Sequence, residues 1–213
     1  ANTIQVEFGP AWIFPKEGKN QEFEPDFKEF DRQFGKLFEN AKENNISIVF
    51  LISPHYHPEW LLKKYPDMKS LAGFLRYEVT HPKAVEMAKA YINAIVERLR
   101  TDSNAEVIHS ICISNEPYYT NCTPTNPYSV ASFVAHMEKK YGPVAKFNAK
   151  AGTDFASYGE MAEKTRESKA AMFEFYNFSK LAFSNWHRLL AEEVKKVWPN
   201  IPVHSKIVVQ DAT

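Results

Sequence analysis

The sequence predicts an α/β chain built on a parallel sheet and, within that class, part of a (β/α)8 TIM barrel. Three observations carry this. Strand-like and helix-like stretches alternate along the chain, its strands lack the alternation of a half-solvated sheet, and the segments after the strands are long and rich in His, Trp, Tyr and carboxamides. Alternation implies βα units, two-sided burial implies a sheet covered on both faces, and decorated loops after the strands mark the C-terminal face on which barrels carry function. Only 7 Gly occur and no Gly-rich phosphate loop follows a strand, so the signature of a nucleotide-binding open sheet is missing.

The elements follow in order. TIQVEF at 3–8 is the first strand. A helix near 25–44 is predicted from Phe27, Phe30, Phe34, Leu37, Phe38 and Ala41, which recur at three- and four-residue spacing behind Pro25. ISIVFLI at 46–52 is the second strand. Pro82 opens a helix with Val85, Ala88, Tyr91, Ile92, Ile95 and Leu99 on one side, and VIHSICIS at 107–114 is the third strand. Residues 117–165 form a polar excursion with at least one helix, at 129–140. A helix over 168–197 places Met172, Phe175, Phe178, Ala182, Trp186, Leu189, Val194 and Val197 on one side, and VHSKIVV at 203–209 is the last strand. Four strands leave a barrel open with bare edges. The expectation is one partial catalytic domain over 1–213, roughly half a barrel, about strands two to five, with the rest of the barrel polypeptide as its first partner.

Composition narrows the function. Lys plus Arg, 26, equals Asp plus Glu, 26, so no net field draws the chain to nucleic acid, and no apolar stretch is long enough to span a membrane. Neutral ligands recognised locally fit best. Cys112 and Cys122, one in a strand and one in a loop, suggest free thiols rather than a disulfide framework.

The third strand ends in Asn115, Glu116 and Pro117, followed by Tyr118 and Tyr119. A glutamate at a barrel rim can donate a proton to the departing oxygen of a glycosidic bond if aromatic burial and a second carboxylate raise its pKa, and a neighbouring carboxamide can bind a sugar hydroxyl. A lone Asn-Glu-Pro tripeptide is more often a solvated turn; its position after a buried strand favours the catalytic reading. The loop SPHYHPEW at 53–60 brings His55, His57 and Trp60 together, a composition suited to the flat C–H faces and hydroxyls of sugars. Trp12, after the first strand, is either a stacking platform or core, and the platform is preferred. The His-Tyr-His-Pro-Glu run lacks helical ligand spacing, so no metal and no cofactor is expected.

These stretches together resemble the clan A glycoside hydrolases, and within them family 42, of β-galactosidase type. The similarity runs through FGPAWIFPKEG, SPHYHPEWL, Asn115–Glu116, MEKKYGPVAKFNAKAGTDFASYGEM at 137–161 and VKKVWPNIPV. The resemblance implies a retaining hydrolase of β-linked sugars, galactosides first. Glu116 would be its acid/base, and Asn115 the ligand of the hydroxyl next to the anomeric carbon, with carbohydrate contacts from Trp12, His55, His57, Trp60 and Tyr118. The family's nucleophile is a glutamate at the end of the seventh strand, which no residue here matches, so the isolated 213 residues are expected to be inactive and prone to associate. A cysteine cluster that binds metal in many members is reduced here to Cys122. The competing readings are a carbohydrate-binding or catalytically incomplete barrel fragment, and another clan A activity of glucanase or mannanase type. A second copy of the chain is a further candidate partner, and no compartment follows from the sequence.

Overall fold

The computed structural model describes residues 2–70, 75–117 and 122–206. Four strands, β1 (Thr3–Glu7), β2 (Ser47–Leu51), β3 (Ile108–Asn115) and β4 (Val203–Lys206), form one sheet in the order β1-β2-β3-β4, and every pair is parallel. Each strand lies beside its predecessor and the order never reverses. A doubly wound sheet would contain a switch point; a barrel grows by this singly wound progression. The predicted fold class holds, and residues 207–209 of the predicted last strand lie outside the described residues.

The chain divides into two compact units. The first comprises residues 1–66, 86–117 and 187–213, and the second residues 67–85 and 118–186.

In the first unit the sheet rests on phenylalanines. Phe8 and Phe50 contact Phe30 and Phe34 at ring-centroid distances of 5.5–6.3 Å, and these face the sheet from helix α2 (Lys28–Phe34). The predicted helix over 25–44 is two helices, α2 and α3 (Leu37–Glu43), separated at Gly35 and Lys36. Its apolar spacing survives the break, because Phe34 and Phe38 still stack with 6.0 Å between centroids. Periodicity therefore located the buried face but not the interruption. Helix α5 (Pro82–Arg100) buries Met87, Ala88, Tyr91, Ile92, Ile95, Val96 and Leu99 at helical spacing, and the Tyr91 hydroxyl donates to the Phe8 carbonyl at 2.7 Å. That bond fixes the backbone just past the end of β1.

The second unit contains the excursion, which holds α6 (Pro127–Tyr141), α7 (Val144–Ala151) and α8 (Tyr158–Glu163). The excursion is predicted to hold at least one helix, near 129–140; that helix is α6. Asn126 caps it: its side-chain oxygen accepts from the backbone N–H groups of Tyr128 and Ser129 at 3.0 and 3.3 Å, and its amide donates to the Asp67 carbonyl at 2.6 Å. Asn126→Ala removes three hydrogen bonds at a buried cap. It is expected to lower the unfolding free energy by about 1–2 kcal/mol, read as a lower urea midpoint, with Asn126→Asp retaining most of the cap. Gly152 closes α7 in the left-handed region with φ 66, where a side chain would be strained.

Helix α9 (Lys169–Val197) spans the predicted length, but its buried stripe is Ala171, Phe175, Phe178, Phe183, Trp186, Leu190 and Val194. Met172, predicted inside, is 56% exposed. The prediction holds at Phe175, Phe178, Trp186 and Val194 and is off by one residue elsewhere, where Ala171 replaces Met172, Phe183 replaces Ala182 and Leu190 replaces Leu189, because neighbouring positions fit a three- or four-residue spacing equally well. Among the described residues no helix is long and apolar enough to cross a membrane.

Candidate active site

The candidate site lies at the C-terminal ends of the four strands, within the first unit. Directly paired residues of a parallel sheet point to the same face, and successive residues to opposite faces. Phe8 and Phe50 face the helices, so Glu7 and Leu51 face away from them. Through the register Glu7↔Leu51↔Cys112, that second face also carries Cys112 and Ser110. Ser110 meets the His204 ring at 3.1 Å, and Lys206 follows His204 by two residues. Glu7, Ser110, His204 and Lys206 therefore share the face away from the helices.

At the end of β3 the alternation breaks. The pairing register with β4 slips between Cys112 and Asn115. Ser114, which strict alternation would place beside Ser110, instead hydrogen-bonds His187 of α9 at 2.9 Å. Asn115 then pairs with Lys206. Such irregularities re-aim side chains at strand ends. Glu116 follows with φ 50, in the left-handed region, while its backbone N–H still donates to the Lys206 carbonyl at 2.8 Å. A non-glycine residue held there costs roughly 1–3 kcal/mol. The Glu116 carboxylate is 46% exposed and lies 3.3 Å from the Lys206 ammonium, so among the described residues it stands half-open beside a positive charge, not buried beside aromatic rings and a second carboxylate as the sequence predicts. The side-chain oxygen of Asn115 is buried and has no hydrogen-bond partner among the described residues. A buried acceptor without a donor is costly, and a ligand hydroxyl would satisfy it.

The loop after β2 starts at Ser53, fully buried and also at positive φ, 24, so two of the four non-glycine residues with positive φ among the described residues stand at strand ends of this site. The Ser53 hydroxyl donates to Glu7 Oε1, and His55 Nε2 lies 3.9 Å from the same oxygen. Burial pushes the His55 imidazole below its ordinary pKa, opposed by Glu7 and reinforced by neighbouring His57. A neutral imidazole at neutral pH can donate and accept hydrogen bonds, as a sugar hydroxyl requires. Trp12, in the short helix α1 (Pro10–Ile13), stands in a row of rings: Phe8 at 5.4 Å on one side and Tyr56 at 5.0 Å on the other, with His55 4.0 Å beyond Tyr56. Gly9 permits this row, because a Cβ there would come within 2.7 Å of Tyr56 Cβ.

The structure thus joins Trp12, Tyr56 and His55 in one row, and Asn115, Glu116 and Lys206 in one strand-end group. Trp60, in α4 (Glu59–Lys64), is placed differently. Its indole N–H donates to the Phe14 carbonyl at 2.8 Å and its ring packs 5.8 Å from Phe23, so it ties two loops together. Tyr118 and Tyr119 lie outside the described residues. Glu7, Ser53 and Lys206 were not singled out from the sequence. Glu7 and Lys206 read there as ordinary polar positions of strands, and only the register places them beside the other residues.

Among the described residues no group of three or more His, Cys, Asp or Glu side chains converges as a metal site would. Cys122, in the second unit, is buried near Ser129, Ser179 and Glu78, and burial pushes its thiol up to about 12. Glu78, fully buried, accepts from the Ser129 hydroxyl at 2.5 Å and the Thr123 N–H at 3.1 Å.

Comparison with known proteins identifies the chain's relatives. The family model of glycoside hydrolase 42, described as beta-galactosidase, matches residues 3–213. The chain belongs to glycoside hydrolase family 42. Solved structures agree on the fold. Gan42B, a family 42 β-galactosidase from G. stearothermophilus, superposes with a TM-score of 0.77 at 18% identity, over 99% of this chain and 31% of its own. A β-galactosidase from Bacillus circulans sp. alkalophilus gives 0.71 at 20% identity, over 95% of this chain and 31% of its own. An exo-carrageenase of family 42 from Bacteroides ovatus gives 0.71 at 19% identity, over 97% and 28%. This chain therefore spans about three tenths of the length of these relatives, as a partial barrel of the family 42 type. No curated protein gives a significant match.

Proposed function

We propose that this chain is the acid/base-bearing portion of a retaining glycoside hydrolase that cleaves β-linked sugars, galactosides first. The observation that carries the reading is the end of β3. In a family 42 chain, Asn115 presents a buried acceptor without a donor among the described residues, and Glu116 is held at positive φ on a parallel strand's C-terminal end. Backbone strain of this kind clusters at active sites, which supports the reading.

The chemistry follows from the bond to be broken. Glu116, protonated, donates to the glycosidic oxygen as it leaves, while a second carboxylate, outside these 213 residues, attacks the anomeric carbon and forms a glycosyl-enzyme. Glu116, now a carboxylate balanced by Lys206, takes a proton from the water that releases the sugar. Asn115 binds the hydroxyl next to the anomeric carbon, a contact that strengthens as positive charge develops there. The Trp12–Tyr56–His55 row offers ring faces to the sugar, and His57 flanks it. Two displacements at one carbon return the original configuration.

This is tested on the full-length polypeptide with an aryl β-galactoside, by following the first-formed sugar by proton NMR before mutarotation. The β-anomer is expected. The α-anomer would overturn the double displacement, and an enzyme silent on every β-glycoside would overturn the hydrolase reading.

A further inference from the structure

The carboxylate of Glu7 is a second charged group on the face of the sheet that carries the Glu116–Lys206 pair, and no role above uses it. Two polar side chains approach one of its oxygens: Ser53 donates its hydroxyl to Oε1, and His55 Nε2 stands 3.9 Å from Oε1. The other oxygen, Oε2, has no partner among the described residues, and the side chain is 41% exposed. No Lys or Arg among the described residues pairs with it. Glu78, whose two donors also meet a single oxygen, is closed off by complete burial, whereas Glu7 stands open to solvent. Glu7 is oriented through one oxygen and open through the other.

Its place is set by the sheet. Glu7 ends β1, two strands from β3, a lateral separation of about 10 Å at the usual strand spacing, and it lies level with Cys112, three residues or about 10 Å along the strand before Asn115. Across the resulting gap of about 14 Å the two extended side chains can meet opposite ends of a bound saccharide. A carboxylate is an acceptor only, sugar hydroxyls are donors, and hydrogen bonds to an ionised group are shorter and stronger than neutral ones. We propose that Glu7 is a specificity-determining residue, whose Oε2 accepts hydrogen bonds from ring hydroxyls of the saccharide bound at Asn115 and Glu116. Ser53 and His55 are positioning residues that aim it. This rests on the glycoside hydrolase reading above and adds to it the part of the sugar that is recognised.

The test uses the full-length polypeptide and a series of aryl β-galactosides, the parent and its 3-, 4- and 6-deoxy analogues, assayed with wild type, Glu7→Gln and Ser53→Ala. Wild type is expected to lose about 10- to 100-fold in kcat/KM on the analogue that lacks the recognised hydroxyl. Glu7→Gln should lose a similar factor on the parent and almost nothing further on that analogue. Ser53→Ala should show the same pattern more weakly. A purely structural Glu7 would lower the thermal midpoint yet leave the ranking of analogues as in wild type, and that ranking would overturn the assignment alone. Absence of turnover on every glycoside by wild type would overturn the hydrolase reading, and this assignment with it.

Discussion

The full-length enzyme carrying Glu116→Ala is expected to lose about 100- to 10,000-fold in kcat on a β-galactoside with a poor leaving group, the factor that a positioned general acid/base supplies. With a dinitrophenyl leaving group, which departs without a proton, the first step should survive. The glycosyl-enzyme then waits for water that has lost its base. Added azide, which needs no deprotonation, should restore turnover and yield a β-glycosyl azide. Undiminished hydrolysis of the poor substrate would remove Glu116 from the role.

Stability and activity should separate cleanly at this residue. The Glu116–Lys206 pair is half-exposed on both sides, and such pairs contribute about 0–1 kcal/mol. At φ 50 a glycine relieves backbone strain of roughly 1 kcal/mol. Glu116→Gly should therefore fold at least as well as wild type while losing activity as Glu116→Ala does. A folded-state role for Glu116 would produce the opposite, a parallel fall of both.

How much of this was legible in the sequence varied with the range of the interaction. Strand identity came from local composition, and the parallel order followed from alternation. Helix α9 is legible to within a residue at each end, yet Met172 falls on the wrong side, because Ala171 and Met172 lie four and three residues before Phe175 and both spacings fit one stripe. The break at Gly35 passed unnoticed because the phenylalanine spacing continues across it. Asn115 and Glu116 were visible as a motif. Their geometry was not, because it depends on a register slip against β4, whose partner residues lie some ninety positions away. Glu7 was invisible for the same reason: nothing in TIQVEF distinguishes it from any polar residue on a strand until Ser53 and the register of β2 are known. The uses of Trp60 and Glu78 likewise depend on contacts distant in sequence.

The second large effect is expected away from the chemistry. Phe30 is 1% exposed and contacts Phe8, Phe27, Phe34, Phe38 and Phe50, with the Arg98 guanidinium 5.1 Å from its ring centroid. It thus touches the residue after β1 and the penultimate residue of β2, the two strands that set Glu7 and Ser53. Phe30→Ala removes the buried ring and leaves a void among five others, a change that costs about 3–5 kcal/mol. It should appear in urea as a large fall in the unfolding midpoint of the full-length protein. Phe30→Leu, which refills most of the volume, should cost less than half as much. Phe27 lies on the same helix edge but is only half-buried, so Phe27→Ala should cost less than Phe30→Ala. An equal loss for both positions would mean that area, rather than a closed cluster beneath the strand ends, governs the stability of this unit. If the cluster holds the rim, Phe30→Leu should also raise KM on the parent galactoside before it lowers kcat, because Glu7 and Ser53 shift with the ends of β1 and β2 while Glu116, fixed by β3 and β4, does not.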